Sequence, residues 1–233
     1  MKEVLSNYYQ PLIFHCEWRK LLADPIEHWK DGYSAKELVK LWAQSDELPE
    51  TVKDLFPDDE MKPIFLFPEY SVQMPGKGKD SFNDLYVLTS TKNGYLPIIV
   101  EAKAGEEFGP IVSEWYRDKG KSWDKGKNAS IRLSGILSIL GLEGYDQPPY
   151  LRIGNLRYQL FHRSASAILE AKRIKATKAL VLIQSFRQDA KSYSDFKQFL
   201  NLFSFNDPIS QKVPLGPLLI NGIELYFAWI DYE

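Results

Sequence analysis

Residues 97–109 read PIIVEAKAGEEFG, so an apolar run passes straight into Glu101, with Lys103 one residue further on. Charges placed where a strand should be burying valines are costly, so their spacing asks for a reason. The Asn93-Gly94 pair ahead of them is a strong hairpin signal and makes residues 82–90, FNDLYVLTS, the partner strand. With a two-residue turn at Asn93-Gly94, Val87 faces Val100, Tyr86 faces Glu101, Leu85 faces Ala102 and Asp84 faces Lys103. Side chains alternate between the two faces of a strand. Asp84, Glu101 and Lys103 then share one face, while Leu85, Val87, Val100 and Ala102 take the other. Opposed Cβ atoms in a hairpin lie about 5 Å apart and diagonal ones somewhat further. Two carboxylates at that spacing can share one hard cation, and without it one of them resists ionising. Such a cation lowers the pKa of a bound water, and a lysine beside it can stabilise charge developing on a phosphate. The set suits phosphodiester hydrolysis, with Lys103→Ala expected to abolish turnover and leave the fold intact. The other reading is a solvated strand face carrying an Asp84–Lys103 ion pair.

A second constellation lies in RYQLFHRSASAILEAK, residues 157–172. On a helix, Gln159 and Arg163 are four apart and share a face. His162 lies beside Arg163, and Arg157 is further back along the chain. These four can contact a substrate, or they can satisfy buried carboxylates and carbonyls. The segment with Arg163, Lys172, Arg173, Lys175 and Lys178 is locally basic, as is KGKSWDKGKNASIR. Either could meet a phosphate backbone, or be solvated surface.

The elements that must position these residues follow from periodicity. SAKELVKLWAQS has Ser34 and Glu37 at capping-box spacing, then Leu38, Leu41 and Trp42 on one face. ELPETVKDLFPDDEMKP is an acidic, proline-punctuated connector with a short helix. IFLFPEYSVQ is a strand, or an edge segment bulged near Pro68. After the hairpin come a short helix in GPIVSEWYRDKG and a helix in NASIRLSGILSILGL with Ile131, Gly135, Ile136 and Ile139 at helical spacing. A longer helix spans Asn155 to Lys172. ATKALVLIQSF is a buried strand, YSDFKQFLNLF an amphipathic helix and INGIELYFAWIDY a final strand. This order predicts an α/β fold with a mixed central sheet flanked by helices. Residues 1–60 form a helical N-terminal extension and residues 61–233 the core, in one compact unit.

Asn83-Asp84, a hairpin, then Glu101-Ala102-Lys103 resembles the motif of the PD-(D/E)xK nuclease superfamily. The resemblance implies a restriction-endonuclease-like core. It implies Asp84 and Glu101 as ligands of Mg²⁺ or Mn²⁺ and Lys103 as the catalytic lysine. That superfamily often adds a glutamate ahead of the first motif strand, and Glu69 is the nearest candidate. Asn83 stands where the motif's proline would be. HWKDGYSAKELVKLW, MPGKGKDSFND, VEAKAGEEFG and RYQLFHRSASAILEA are similar to an uncharacterised bacterial family placed in the same superfamily. Glu106 belongs to that stretch and would support the metal site or cap the following helix. A helix after the Glu-x-Lys strand packs near the site in this superfamily, which implies substrate contacts from Arg157, Gln159, His162 and Arg163. The expected partner is nucleic acid, DNA before RNA.

Composition bounds these readings. The chain has 233 residues, enough for one sizeable core, and a net charge of −2, which excludes a wholly basic surface but not a local patch. One cysteine, Cys16, excludes an intrachain disulfide and fits a reducing compartment. No apolar run reaches membrane-spanning length and no signal peptide is evident, so a cytoplasmic, soluble protein with no membrane partner is expected. An oligomer is compatible with all of this. His15, His28 and His162 are too scattered for a zinc signature. GKGKD lacks the full phosphate-loop spacing. The tryptophans read as core and interface rather than as a base-stacking platform. The rival to a nuclease is a binding or regulatory module that keeps the fold without catalysis.

Overall fold

The computed structural model describes residues 18–22, 26, 29–43, 47–119, 123–145, 152–187, 189–206 and 208–232. His15, Cys16 and His28, and most of the first third of the expected N-terminal extension, lie outside the described residues. Six strands form one sheet: β1 (Lys62–Val72), β2 (Ser81–Thr91), β3 (Gly94–Lys103), β4 (Lys178–Ser185), β5 (Leu215–Ile220) and β6 (Ile223–Asp231). Their spatial order is β1-β2-β3-β4-β6-β5. The β3–β4 and β4–β6 pairs are parallel and the others antiparallel, so the sheet is mixed.

Both faces of the sheet are covered. On one face, α1 (Ser34–Ala43) and α2 (Glu50–Lys53) bring Leu38, Val39, Trp42 and Val52 against Leu85, Val87, Val100, Leu182 and Ile230. On the other lie α3 (Val112–Lys119), α4 (Trp123–Ile139), α5 (Tyr158–Ile174) and α6 (Ala190–Asn201). There Leu133, Ile136, Phe161, Ile168, Phe196 and Phe199 pack against Tyr86, Ile99, Val181, Ile183 and Phe227. Double coverage explains the continuous apolar run in β3, since Leu96, Ile98, Ile99 and Val100 are all fully buried. Trp42 donates to the buried Gln184 side chain at 2.8 Å, and Gln184 donates to Tyr232 at 2.8 Å, tying α1 to the sheet's centre. Among the described residues, no helix is long and apolar enough to cross a membrane.

Several local expectations need correction. The β2–β3 turn is Lys92-Asn93, with Thr91 paired to Gly94 and Leu85 to Val100. Thr91 Oγ1 accepts from the Asn93 N–H at 3.3 Å and donates to the Gly94 carbonyl at 3.2 Å, and Gly94 supplies a φ of +132° at the turn's end. The register therefore differs by two residues from that of a turn at Asn93-Gly94. An even shift leaves every side chain on its expected face. What changes is the row: Asp84 is the next residue past Leu85↔Val100 and comes level with Glu101, not Lys103.

β5 was not legible in the sequence. It is an exposed edge strand interrupted by Pro217, and it joins β6 through Asn221-Gly222, both at positive φ as a tight hairpin requires. In α1, Glu37 reaches back to the Gly32 N–H at 2.7 Å rather than to Ser34, so the cap forms ahead of the expected box. In α4 the buried face is Ala129, Leu133, Ile136 and Leu137, and Ile131 is exposed.

Gly135 faces the loop between β1 and β2. A Cβ there would lie 2.4 Å from Pro75 Cβ. Gly135→Ala gains about 1 kcal/mol of helix propensity, but overpacking of this kind costs about 1–3 kcal/mol. We expect a lower urea midpoint at unchanged m-value. An equal or higher midpoint would show that the loop does not rest on α4 in solution.

Candidate active site

The charges quoted from β3 are buried. The Glu101 and Lys103 side chains are only 2% and 5% exposed, at the C-terminal end of a strand covered on both faces. A carboxylate in such a place needs partners on every lone pair it can fill. Glu101 Oε1 accepts from Lys103 Nζ and, at 2.6 Å, from Gln159 Nε2, while Oε2 accepts from Arg163 Nε. Gln159 and Arg163 come from α5, which presents its i and i+4 positions to the sheet. Burial pushes the Glu101 pKa up, but Arg163 and Lys103 outweigh it and hold the group below the usual glutamate value. The Lys103 ammonium also lies 5.0 Å from the Phe108 ring centroid.

Asp84 stands at the edge of this cluster. Its Oδ2 accepts from the Ala102 N–H at 2.7 Å, taking the place of a strand carbonyl where the β2–β3 ladder opens. Arg163 NH2 lies 4.0 Å from its Oδ1, so Asp84 and Glu101 converge on one guanidinium. Burial, with Glu101 next, pushes the Asp84 pKa up to about 7, against the opposing pull of Arg163 and Lys103.

Glu69 completes a row of acids. It lies between the pairs Pro68↔Leu85 and Tyr70↔Asn83, level with Asp84. Its φ is +51°, the left-handed region that a glutamate rarely occupies. That rotation lets Phe67 and Tyr70, three residues apart, both pack on Tyr86 with centroids at 6.3 and 4.6 Å. The register of β1 on β2 is unbroken here, its one shift lying at Pro63–Phe65, so the left-handed residue is a local backbone twist placed where the carboxylates gather.

Glu69, Asp84 and Glu106 open onto one cleft of about 620 Å³, walled by residues 32–35 at the start of α1 and by Arg187. Glu106 is held by the Ala104 N–H at 2.7 Å, so it closes its own turn and does not cap α3, which starts at Val112. Arg187 was missed by the sequence reading. It is the second residue past β4, and its guanidinium lies so close to Gly32 that a Cβ there would be 2.5 Å from NH2. The available signal was its place just beyond the C-terminal end of a parallel strand, where ligands of α/β sheets gather.

Two expected substrate contacts lie elsewhere. Arg157 is committed to a separate clamp: Nε to Asp195 at 2.7 Å, NH1 to the Gly109 carbonyl at 2.5 Å and NH2 to Glu107 at 2.6 Å. His162 lines a different pocket and pairs with Ser81 Oγ at 2.8 Å. Burial and the charges of Arg163, Arg132 and Lys103 push its pKa well below the usual histidine value. Of the basic segment at the end of α5, Arg173 pairs with Glu170 and Lys178 with Asp59.

Among the described residues, no group of three or more His, Cys, Asp or Glu is arranged to hold a metal ion. The donor set still fits Mg²⁺ or Mn²⁺, because such ions keep several waters and take one or two carboxylates from the protein. Asp84 and Glu69, on the cleft wall, are the carboxylates that would hold such an ion, and Glu101 lies behind them.

The burial of Lys103 changes one expectation. Lys103→Ala strips Glu101 of a partner, and breaking a buried pair this way costs about 3–5 kcal/mol, so the fold will not be untouched. Asp84 gives a cleaner readout. Its folded pKa is raised, so the stability it contributes is present below about 4 and is lost as pH rises through about 7. In EDTA, the melting temperature of wild type should fall relative to Asp84→Asn between pH 4 and 8. Parallel curves would show that Asp84 ionises normally.

A family model described as a domain of unknown function, DUF6946, matches residues 14–233. No curated protein and no solved structure gives a significant match to the chain. As the family match covers nearly the whole sequence, the protein belongs to the DUF6946 family.

Proposed function

We propose that the protein is a metal-dependent nuclease with a restriction-endonuclease-like core, hydrolysing phosphodiester bonds of nucleic acid in the cytoplasm. The observation that carries this reading is the acidic row Glu69, Asp84, Glu101 across three adjacent strands, with Lys103 on the same strand end and Arg163 behind. The order of strand, hairpin, helices and parallel strand agrees with the resemblance to PD-(D/E)xK enzymes.

Asp84 and Glu69 would hold Mg²⁺ or Mn²⁺ from the cleft wall. The cation, when bound, supplies a polarised phosphate and an acidified water. The chain's own residues do the rest. Arg163 and Gln159 fix the Glu101 carboxylate. Lys103 supplies positive charge at the strand end, where negative charge grows on the phosphate. Arg187, on the opposite wall, is the cation that meets a phosphate entering the cleft. DNA is the first substrate to try and RNA the second.

One observation favours a second reading, a nucleic-acid- or protein-binding regulatory module without catalysis. Glu101 is saturated by three donors, and the Lys103 ammonium is turned onto it rather than into the cleft. A purely structural charge cluster looks like this too.

The test is cleavage of single- and double-stranded DNA and RNA with and without Mn²⁺, alongside calorimetric titration of the metal. We expect metal-dependent cleavage in wild type, loss of both metal binding and cleavage in Asp84→Asn, and loss of turnover beyond loss of affinity in Lys103→Gln. Melting curves of each variant separate unfolding from catalysis. Cleavage that survives unchanged in Asp84→Asn points to a contaminant. Wild type that neither binds metal nor cleaves leaves the module reading standing.

A further inference from the structure

A second pocket, of about 520 Å³, lies beyond His162 and is lined by the β1–β2 loop, α3, α4 and the start of α5. Its size is in the range of small-molecule sites. Its chemistry differs from that of the carboxylate cleft. One wall is aromatic: Trp115 and Tyr158 stack with centroids 3.8 Å apart and planes 11° from parallel. Trp115 is half-buried.

The other wall carries three cations, Arg132, Lys77 and Lys79, against one carboxylate, Asp80, which accepts from Ser71 Oγ at 3.4 Å. Arg132 is only 9% exposed. Its Nε donates to the Tyr158 hydroxyl at 2.9 Å and its NH2 to the Lys79 carbonyl, and among the described residues it has no carboxylate partner. Its NH1 lies against Gly78, where a Cβ would sit 3.3 Å away. A guanidinium that is buried, held by neutral groups and left without a counter-charge calls for an anion. Lys77 and Lys79, exposed on the loop above it, are likewise without an ion-pair partner among the described residues.

His162 adds a directed donor. Arg163 NH1, which can only donate, lies 3.1 Å from Ser81 Oγ and 3.4 Å from His162 Nδ1, so Nδ1 takes the acceptor role and Ser81 Oγ donates to it at 2.8 Å. A neutral ring with Nδ1 accepting carries its proton on Nε2. A flat aromatic surface, an unpaired guanidinium, two free ammonium groups and one N–H donor together fit a planar, hydrogen-bonding base attached to a phosphate.

We propose that this pocket holds one unpaired nucleoside phosphate, its base against the Trp115–Tyr158 stack and its phosphate on Arg132, Lys77 and Lys79. The source is either a single strand threaded past the carboxylate cleft or a free nucleotide. The binding does not depend on the cleavage reading. It is measured in EDTA, so a protein that never cleaves can still bind here, and a nuclease can still fail to.

The full chain is titrated against fluorescein-labelled dT12, the same strand in a duplex with dA12, and 5′-AMP as competitor. We expect dT12 to bind at least tenfold more tightly than the duplex. Lys77→Ala with Lys79→Ala should weaken binding about tenfold and flatten its dependence on salt. Trp115→Ala should also weaken it about tenfold while Trp115→Phe retains it. Competition by AMP assigns the site to a free nucleotide, and strand binding without AMP competition assigns it to a single strand. Lys62→Ala with Lys92→Ala, two exposed lysines at the opposite end of β2 from Ser81, removes the same charge and should change nothing. The proposal is overturned if neither ligand binds, if the control pair weakens binding as much as the Lys77 and Lys79 pair, or if affinity survives both the loop and the Trp115 substitutions. The loop lysines carry no packing, so that arm does not depend on whether Trp115→Ala folds.

Discussion

A carboxylate sealed inside a doubly covered sheet is the constraint around which this protein is built. Glu101 cannot be solvated by water, so the chain must solvate it. The strand itself provides Lys103, and the crossover helix between the two central parallel strands provides Gln159 and Arg163. This fixes how α5 is rotated on the sheet, since positions 159 and 163 must both face β3. With that rotation set, the small buried residues Ala167, Ala171 and Ser164 fall on the side of the helix turned to the sheet. Close approach of the helix follows from them.

The same rotation gives α5 a second face. Tyr158 and His162, one residue before each of the Glu101 ligands, turn toward the aromatic and cationic pocket. Ser81 at the start of β2 joins the two faces, taking a hydrogen bond from Arg163 and giving one to His162. The loop preceding Ser81 is pinned by Pro75 on Gly135 and by the Lys79 carbonyl on Arg132. Two chemically different clefts are therefore positioned by one helix and one loop. An anionic strand lying across both would meet cations at Arg187 and at Lys77, Lys79 and Arg132.

Much of this was legible in the sequence because faces are set by parity. The β2–β3 turn falls one residue earlier than the Asn93-Gly94 signal suggests, yet an even change of register kept Asp84, Glu101 and Lys103 together. At Asn221-Gly222 the same dipeptide does form the turn, but the strand before it carries Pro217 and an exposed surface, so no alternation announces it. Gln159 and Arg163 were found from helical spacing alone. Arg157, drawn from the same stretch, was lost to Glu107 and Asp195, partners distant in sequence that no local pattern could name. Arg187 was missed for a related reason, and Trp115, read as core or interface, gave no local sign of the ring it stacks on. Each earns its place from what the fold brings beside it: Gly32 for the one, Tyr158 for the other.

The caging of Glu101 also shapes how the sequence can drift. Removing any one member leaves a charge stranded in the core, so single steps away from Glu101, Lys103 or Arg163 are strongly disfavoured whatever the protein does. Lineages should retain the three together or exchange them together, in the manner of a covarying set. A descendant that had given up chemistry altogether would still carry the Glu-Ala-Lys signature, preserved by folding. Persistence of that signature among relatives therefore measures the cost of burying charge. The residues whose persistence would speak for turnover are the ones the core does not need, Asp84 and Arg187 on the cleft wall.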